Sequence, residues 1–140
     1  MKVHGYAWEA VKVETEDGYT LTTFHVTGKV QKDGSVVTRE ATEPPVLIQH
    51  GLGCDAATWL WLYTHGNPLI LQLYDEGFDV WLGNNRGTEY CQEHKSLKTS
   101  DKEFWMYDWA EMGTYDTPAN ISMIKEKTGY EKILYLGYSQ

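Results

Sequence analysis

The fold is decided by the stretch Lys132-Ile133-Leu134-Tyr135-Leu136-Gly137-Tyr138-Ser139-Gln140. Its apolar run predicts a strand, and Gly137-Tyr138-Ser139 matches the start of the G-x-S-x-G nucleophile elbow. In that motif a strained turn from strand to helix lifts the serine hydroxyl clear of the sheet, and the small neighbours relieve the crowding. A lone G-x-S triplet also occurs by chance, so its weight comes from the strand before it. Ser139 is the predicted nucleophile.

Two further short apolar runs read as buried strands, Pro45–Gln49 and Phe78–Gly83. Helical patterns separate the three strands, over residues 67–77, 104–112 and 118–128. This alternation predicts the α/β class, with a parallel sheet flanked by helices. We expect an antiparallel hairpin over about residues 8–27, turning at Glu16-Asp17-Gly18, and a βαβαβ core over about residues 45–140. We expect them to form the N-terminal part of a domain that is incomplete in this chain, because the elbow motif lacks its fifth position.

The first strand of the core ends at His50-Gly51-Leu52-Gly53, where this architecture supplies an oxyanion donor. The backbone N–H groups of Leu52 and Gln140 are the two predicted donors. His50 is favoured as a structural or pocket-lining residue, because the triad order in this architecture is Ser, then acid, then His.

The composition of the chain excludes some classes of binding partner. The chain of 140 residues carries 12 Lys and Arg against 20 Asp and Glu, a formal charge of −8. That is the wrong sign for binding a nucleic-acid backbone or an anionic membrane. Met1–Tyr6 lacks the apolar run of a secretion signal, and no apolar stretch is long enough for a transmembrane helix. We predict no nucleic-acid partner and no transmembrane segment, and the localisation stays open.

Beyond these motifs the chain resembles the acid lipase family, the group of lysosomal acid, gastric and lingual lipases and related sterol-ester hydrolases. The resemblance is collinear and nearly end to end. It is carried by Gly5-Tyr6 with Glu9, residues 15–21, 45–52, 77–84 with Arg86-Gly87, 103–105, Glu111-Met112, Tyr115-Asp116, Pro118-Ala119 and 127–129.

The resemblance implies an α/β-hydrolase fold that hydrolyses carboxylic esters of neutral lipids, triacylglycerol or sterol ester. Ser139 matches the family nucleophile, while Leu52 and Gln140 match its oxyanion-hole positions. No cofactor is implied, and contact with a lipid surface is expected through parts of the family fold that follow the elbow. Tyr138 is a departure, because the family more often has His before the serine.

The family's acid and His come after the nucleophile, whereas all five histidines here precede Ser139: His4, His25, His50, His65 and His94. A serine hydroxyl is a weak nucleophile until a base takes its proton. We therefore expect the 140-residue chain alone to be inactive, as an N-terminal fragment of the enzyme. One alternative is a catalytically inactive remnant or interaction module, and another is a different α/β-hydrolase such as a peptidase or thioesterase. Arg86 is expected to pair with Asp108 or Glu111, and Asp116 is expected on a solvated face.

Overall fold

The computed structural model describes residues 5–61 and 66–140. Seven strands of this part of the chain form one mixed sheet, ordered β1-β2-β5-β4-β7, with the short strands β3 and β6 also paired to β2. The strands are β1 (Tyr6–Glu14), β2 (Tyr19–Val30), β3 (Val36–Val37), β4 (Pro45–Gln49), β5 (Asp79–Gly83), β6 (Glu93–His94) and β7 (Leu134–Gly137).

The hairpin β1–β2 is antiparallel and turns where the sequence predicts, at Glu16-Asp17-Gly18. Gly18 has φ of 107°, a conformation that glycine adopts without steric cost. The Thr15 hydroxyl donates to Asp17 and its N–H donates to the Tyr19 carbonyl, so the turn is held from inside. The hairpin joins the core because β2 pairs antiparallel with β5.

The core of the sheet is parallel. β4 pairs with β5 from Pro45–Asp79 to Gln49–Gly83, and on its other side with β7 from Val46–Leu134 to Gln49–Gly137. Every residue of β4 is buried, which explains its unbroken apolar run. Because the three strands run parallel and in step, their carboxyl ends lie at one edge of the sheet.

Helical segments occur in all three predicted regions, but the helix predicted over residues 104–112 is wrong in extent, because residues 106–108 are not helical. The helical segments are α1 (Thr58–Trp61), α2 (Leu69–Asp75), a 3₁₀ turn (Lys102–Trp105), α3 (Trp109–Glu111), a π-helical turn (Met112–Asp116) and α4 (Thr117–Thr128). The helix predicted over residues 67–77 is thus shorter, and the predicted break between residues 112 and 118 is a π-helical turn that joins α3 to α4. Gly129 ends α4 with a left-handed φ of 74°, as its position predicts. No helix in the described ranges is long and apolar enough to cross a bilayer.

Alternate residues of β4 face opposite layers. Val46 and Ile48 belong to the apolar cluster that contains Ile70 and Leu71 of α2, whereas Leu47 packs with Trp81 and with Ile124 of α4. Helices therefore cover both faces of the parallel sheet, and the predicted α/β class is confirmed. The strand β7 is more open, with Leu134 and Tyr135 both exposed.

Candidate active site at the carboxyl ends of the parallel strands

Ser139 lies two residues after the end of β7 with φ of 66°, the only positive φ outside glycine among residues 5–61 and 66–140. The Gln140 N–H donates to the Tyr138 carbonyl at 2.8 Å, which closes a three-residue turn around Ser139. A non-glycine residue held in this region costs about 1 to 3 kcal/mol, and such residues cluster at active sites and ligand clamps. The local backbone is thus the strained turn that the nucleophile-elbow motif requires.

Gly51, after β4, lies against this turn. A Cβ built on Gly51 would come within 2.8 Å of the Tyr138 carbonyl oxygen and 2.9 Å of the Ser139 Cβ. Real Cβ atoms do not approach other atoms so closely, so the residue here has to be glycine. The predicted oxyanion loop and the predicted nucleophile are therefore in van der Waals contact.

The two predicted oxyanion donors differ in their present contacts. Among the described residues, none accepts a hydrogen bond from the Leu52 N–H, and the Leu52 side chain is 79% exposed. The Gln140 N–H is directed to the Tyr138 carbonyl instead. The Leu52 N–H is thus without an acceptor among the described residues, whereas the Gln140 N–H already has one.

A pocket of about 320 Å³ opens beside these groups, lined by His50, residues 52–55, residues 85–89, Tyr107, Met112 and Gln140. A larger groove, of about 620 Å³, runs between the hairpin turn and residues 92–99. It is away from the strand ends and lined by charged side chains such as Glu14, Glu93 and Lys98. The smaller pocket has the better position for chemistry, since ligands bind at the carboxyl ends of parallel strands.

Tyr138, the residue before the nucleophile, is about half exposed and faces Trp59 edge to face, with ring centroids 6.2 Å apart. Trp59 is buried, and its indole N–H has no acceptor among the described residues. The tyrosine therefore packs against α1, the short helix that follows β4.

His50 is buried, and both ring nitrogens are engaged. Nδ1 donates to the Gly51 carbonyl at 2.9 Å, and Nε2 accepts the Asn85 N–H at 3.1 Å. Burial lowers the pKa of His50, against a smaller opposing effect of the Gly51 carbonyl, which favours the neutral ring. These contacts agree with the structural role that chain order suggested.

Arg86, after β5, is almost fully buried, but its partners are not the predicted ones. It forms two hydrogen bonds to Asp17 of the hairpin turn, at 2.6 and 2.9 Å, and its Nε donates to Asp116 at 2.9 Å. Asp116 also accepts the Arg86 backbone N–H, and the guanidinium lies 4.0 Å from the centroid of the Tyr19 ring.

The expected pairing with Asp108 or Glu111 is wrong, because these two residues form a capping box with each other at the start of α3. The expectation of a solvated Asp116 is also wrong, since Asp116 is completely buried. Burial raises the pKa of Asp116 and the hydrogen bonds from Arg86 oppose that rise. Arg86 thus joins the hairpin turn, the loop after β5 and the π-helical turn.

The remaining histidines lie away from the elbow or outside the described residues. His25 on β2 bonds Glu9 at 2.9 Å and Asp79 at 2.6 Å, and its ring stacks on Trp81. His94 accepts two backbone N–H groups at Nδ1. His4 and His65 lie outside the described ranges. None of His25, His50 and His94 forms a hydrogen bond with Ser139.

Two family profiles match the sequence. One, a partial alpha/beta-hydrolase lipase region, matches residues 1–62, and the other, the alpha/beta hydrolase fold, matches residues 44–140. Among solved structures, the Pyrococcus furiosus esterase Pf2001 aligns with a TM-score of 0.58 over 98% of this chain and 44% of its own. At 18% identity this likeness speaks for the fold alone.

Two human proteins are among the curated relatives. Lipase member M is 43% identical over 137 residues, which is 97% of this chain and 31% of the relative. Lysosomal acid lipase/cholesteryl ester hydrolase is 39% identical over 136 residues, which is 97% of this chain and 33% of the relative. The chain thus spans about a third of the length of these relatives. With the fold, the elbow and these matches together, the chain belongs to the acid lipase family of α/β-hydrolases.

Proposed function

We propose that this chain carries the nucleophile and the oxyanion loop of a serine hydrolase that cleaves carboxylic esters of neutral lipids, triacylglycerols or sterol esters. The observation that carries the proposal is the strained φ of Ser139 at the end of β7, with Gly51 packed against it. The substrate class is inferred from the relatives, which are lipases and a cholesteryl ester hydrolase.

In the proposed reaction, the Ser139 hydroxyl oxygen attacks the ester carbonyl carbon while a base takes the hydroxyl proton. The alcohol then leaves, and water releases the fatty acid from the acylated serine. Negative charge develops on the carbonyl oxygen during both steps. A preorganised N–H donor facing that oxygen lowers the barrier by about 3 to 4 kcal/mol, and we assign this role to the Leu52 N–H.

The base is assigned to none of the described histidines. Both ring nitrogens of His50 are occupied by the backbone, and His25 on β2 is held between the carboxylates of Glu9 and Asp79. In the motif order of α/β-hydrolases the acid and the base follow the nucleophile along the chain. The residues of this chain are therefore assigned two roles, nucleophilic attack by Ser139 and stabilisation of the oxyanion.

The test is hydrolysis of emulsified triacylglycerol, emulsified cholesteryl ester and a water-soluble short-chain ester by the protein as its gene encodes it. Ser139→Ala should lower kcat by a factor of about 10⁴ or more. Ser100→Ala, at an exposed serine outside the site, should leave it unchanged. Absence of ester hydrolysis by the wild-type protein would instead favour the non-catalytic interaction module.

A further inference from the structure

His50 connects the two loops that meet at the candidate site. Its Nε2 accepts a hydrogen bond from the Asn85 backbone after β5, and its Nδ1 donates to the Gly51 carbonyl after β4. Because Nε2 accepts, the ring proton sits on Nδ1. The ring is therefore fixed at one end by the loop after β5 and acts on the Gly51 carbonyl at the other.

The Gly51 carbonyl belongs to the same peptide unit as the Leu52 N–H. A trans peptide is planar, and its C=O and N–H point in opposite directions. The hydrogen bonds that fix the direction of the Gly51 carbonyl therefore also fix the direction of the Leu52 N–H. Two donors hold that carbonyl, His50 Nδ1 at 2.9 Å and the Cys54 N–H at 3.2 Å.

The peptide between Gly51 and Leu52 begins at a glycine, so contacts rather than an intrinsic backbone preference decide which way this peptide faces. Gly51 and Gly53 flank Leu52, and glycine rotates through φ and ψ with little steric cost. A flip of the Gly51–Leu52 peptide would turn a carbonyl oxygen, in place of an N–H, toward the elbow. An oxygen there would repel the negative charge that develops during acyl transfer.

We propose that His50 is a positioning residue that orients the Gly51–Leu52 peptide, so that the Leu52 N–H faces the oxyanion formed at Ser139. This inference rests on the proposed function. Burial in the neutral form suits the task, because a protonated ring would place a second donor at Nε2 against the Asn85 N–H. Asn85 is held in turn, its side-chain oxygen accepting the Gln49 amide at 3.0 Å. The orienting contacts thus continue into β4.

The experiment compares two phosphonate probes that differ only in a P=O or a P=S group, applied to the protein as its gene encodes it. In each reaction the Ser139 oxygen bonds to phosphorus, p-nitrophenolate leaves with the bonding pair, and the serine proton goes to the base. N–H donors of an oxyanion hole bind oxygen more strongly than sulfur. The ratio of the two rate constants therefore reports the hole, and a loss of general stability does not change it.

Two amide variants separate the roles of the ring nitrogens. Asn places its amide nitrogen near the position of Nδ1, so His50→Asn should keep a P=O to P=S ratio close to wild type. Gln reaches only the Nε2 position, so His50→Gln should lower the ratio by a factor of about 10 to 100. His94→Gln is the matched control, because His94 also accepts backbone N–H groups but lies away from Gly51, and it should leave the ratio unchanged.

Equal ratios in wild type and His50→Gln would overturn the inference and leave the proposed function standing. A ratio that falls equally in His50→Asn and His50→Gln would also overturn it, since the Nδ1 contact would then not be the cause. Failure of both probes to modify Ser139 in the wild-type protein would overturn the proposed function itself, and the inference with it.

Discussion

The Cα of Gly51 lies so close to the nucleophile elbow that a methyl group on it would come within 2.9 Å of the Cβ of Ser139. The two residues are far apart along the chain and follow neighbouring parallel strands, β4 and β7. Their contact means that the loop carrying Leu52 and the turn carrying Ser139 form one unit. The missing side chain at Gly51 is what allows the two to approach.

Gly51→Ala should push the loop that carries Leu52 away from the turn that carries Ser139. The added methyl group meets a backbone carbonyl, Tyr138 O at 2.8 Å, which has little freedom to move. We expect a fall in the free energy of unfolding of about 1 to 3 kcal/mol from overpacking, with a fall in ester hydrolysis of about 100-fold because the donor shifts. Urea denaturation and steady-state hydrolysis measure the two effects.

The matched control is Gly113→Ala, where an added Cβ meets nothing within 4 Å. Gly113 lies in the π-helical turn, so alanine there should be neutral or stabilise by up to about 1 kcal/mol. If Gly51→Ala behaved like Gly113→Ala in both measurements, the close packing at the elbow would be refuted.

Strain at Ser139 predicts an inverted order of stability for two substitutions. At φ of 66°, glycine is tolerated and alanine is not, so Ser139→Gly should be more stable than Ser139→Ala by about 1 kcal/mol. At the exposed helical residue Ser122 the order should be the reverse, with alanine better by a similar amount. Thermal unfolding of the four variants gives the comparison, and the same order at both positions would contradict the strained turn.

Removing the guanidinium of Arg86 should lower the free energy of unfolding substantially. Arg86→Met leaves the completely buried Asp116 without its ionic partner, so we expect a loss of about 3 to 5 kcal/mol in the free energy of unfolding. Lys12→Met removes an ion pair with Glu93 in which both side chains are more than half exposed, and should cost at most about 1 kcal/mol. Similar losses in the two variants would show that Arg86 contributes no more than a surface charge.

The pH dependence of stability should carry a contribution from His25. Burial alone would lower its pKa, but the hydrogen bonds to Asp79 and Glu9 outweigh burial and raise the pKa above the ordinary value of 6.5. The stabilisation of the folded state by His25 is therefore fully present below pH 6.5, and it is lost as the pH rises through the pKa of His25 in the folded state. The stability difference between wild type and His25→Gln should shrink from pH 6 to about pH 9.

Asp79→Asn provides the control for His25, since the neutral amide no longer favours the charged ring. In that background the His25→Gln difference should vary less with pH. A difference that grew with pH in the wild-type background would contradict the assignment of a raised pKa.

Patterns along the chain predict the elements that depend on local burial. The fully buried β4 is read correctly from its apolar run, and α4 from Ile121, Ile124 and Thr128, with Gly129 as its end. The π-helical turn and the two-residue strand β6 carry no such signal, because neither has a hydrophobic period of its own. Tertiary pairing with β2 creates β6.

Long-range polar contacts explain the errors around Arg86. Its partners Asp17 and Asp116 are 69 and 30 residues away, and no local pattern connects them. The wrong partners, Asp108 and Glu111, do carry a local signal, since an Asp followed three residues later by Glu is the spacing of a capping box. The contact of Gly51 with Ser139 is likewise absent from the sequence, although the motif order places both at one edge of the sheet.

The central claim is that Ser139 is the nucleophile, and the most direct measurement maps the adduct of a p-nitrophenyl alkylphosphonate by peptide mass spectrometry. The account predicts a single phosphonylated residue, Ser139, with loss of the adduct and of ester hydrolysis in Ser139→Ala and retention of both in Ser100→Ala. Stoichiometric modification of another residue together with loss of hydrolysis, or full hydrolysis by Ser139→Ala, would contradict it.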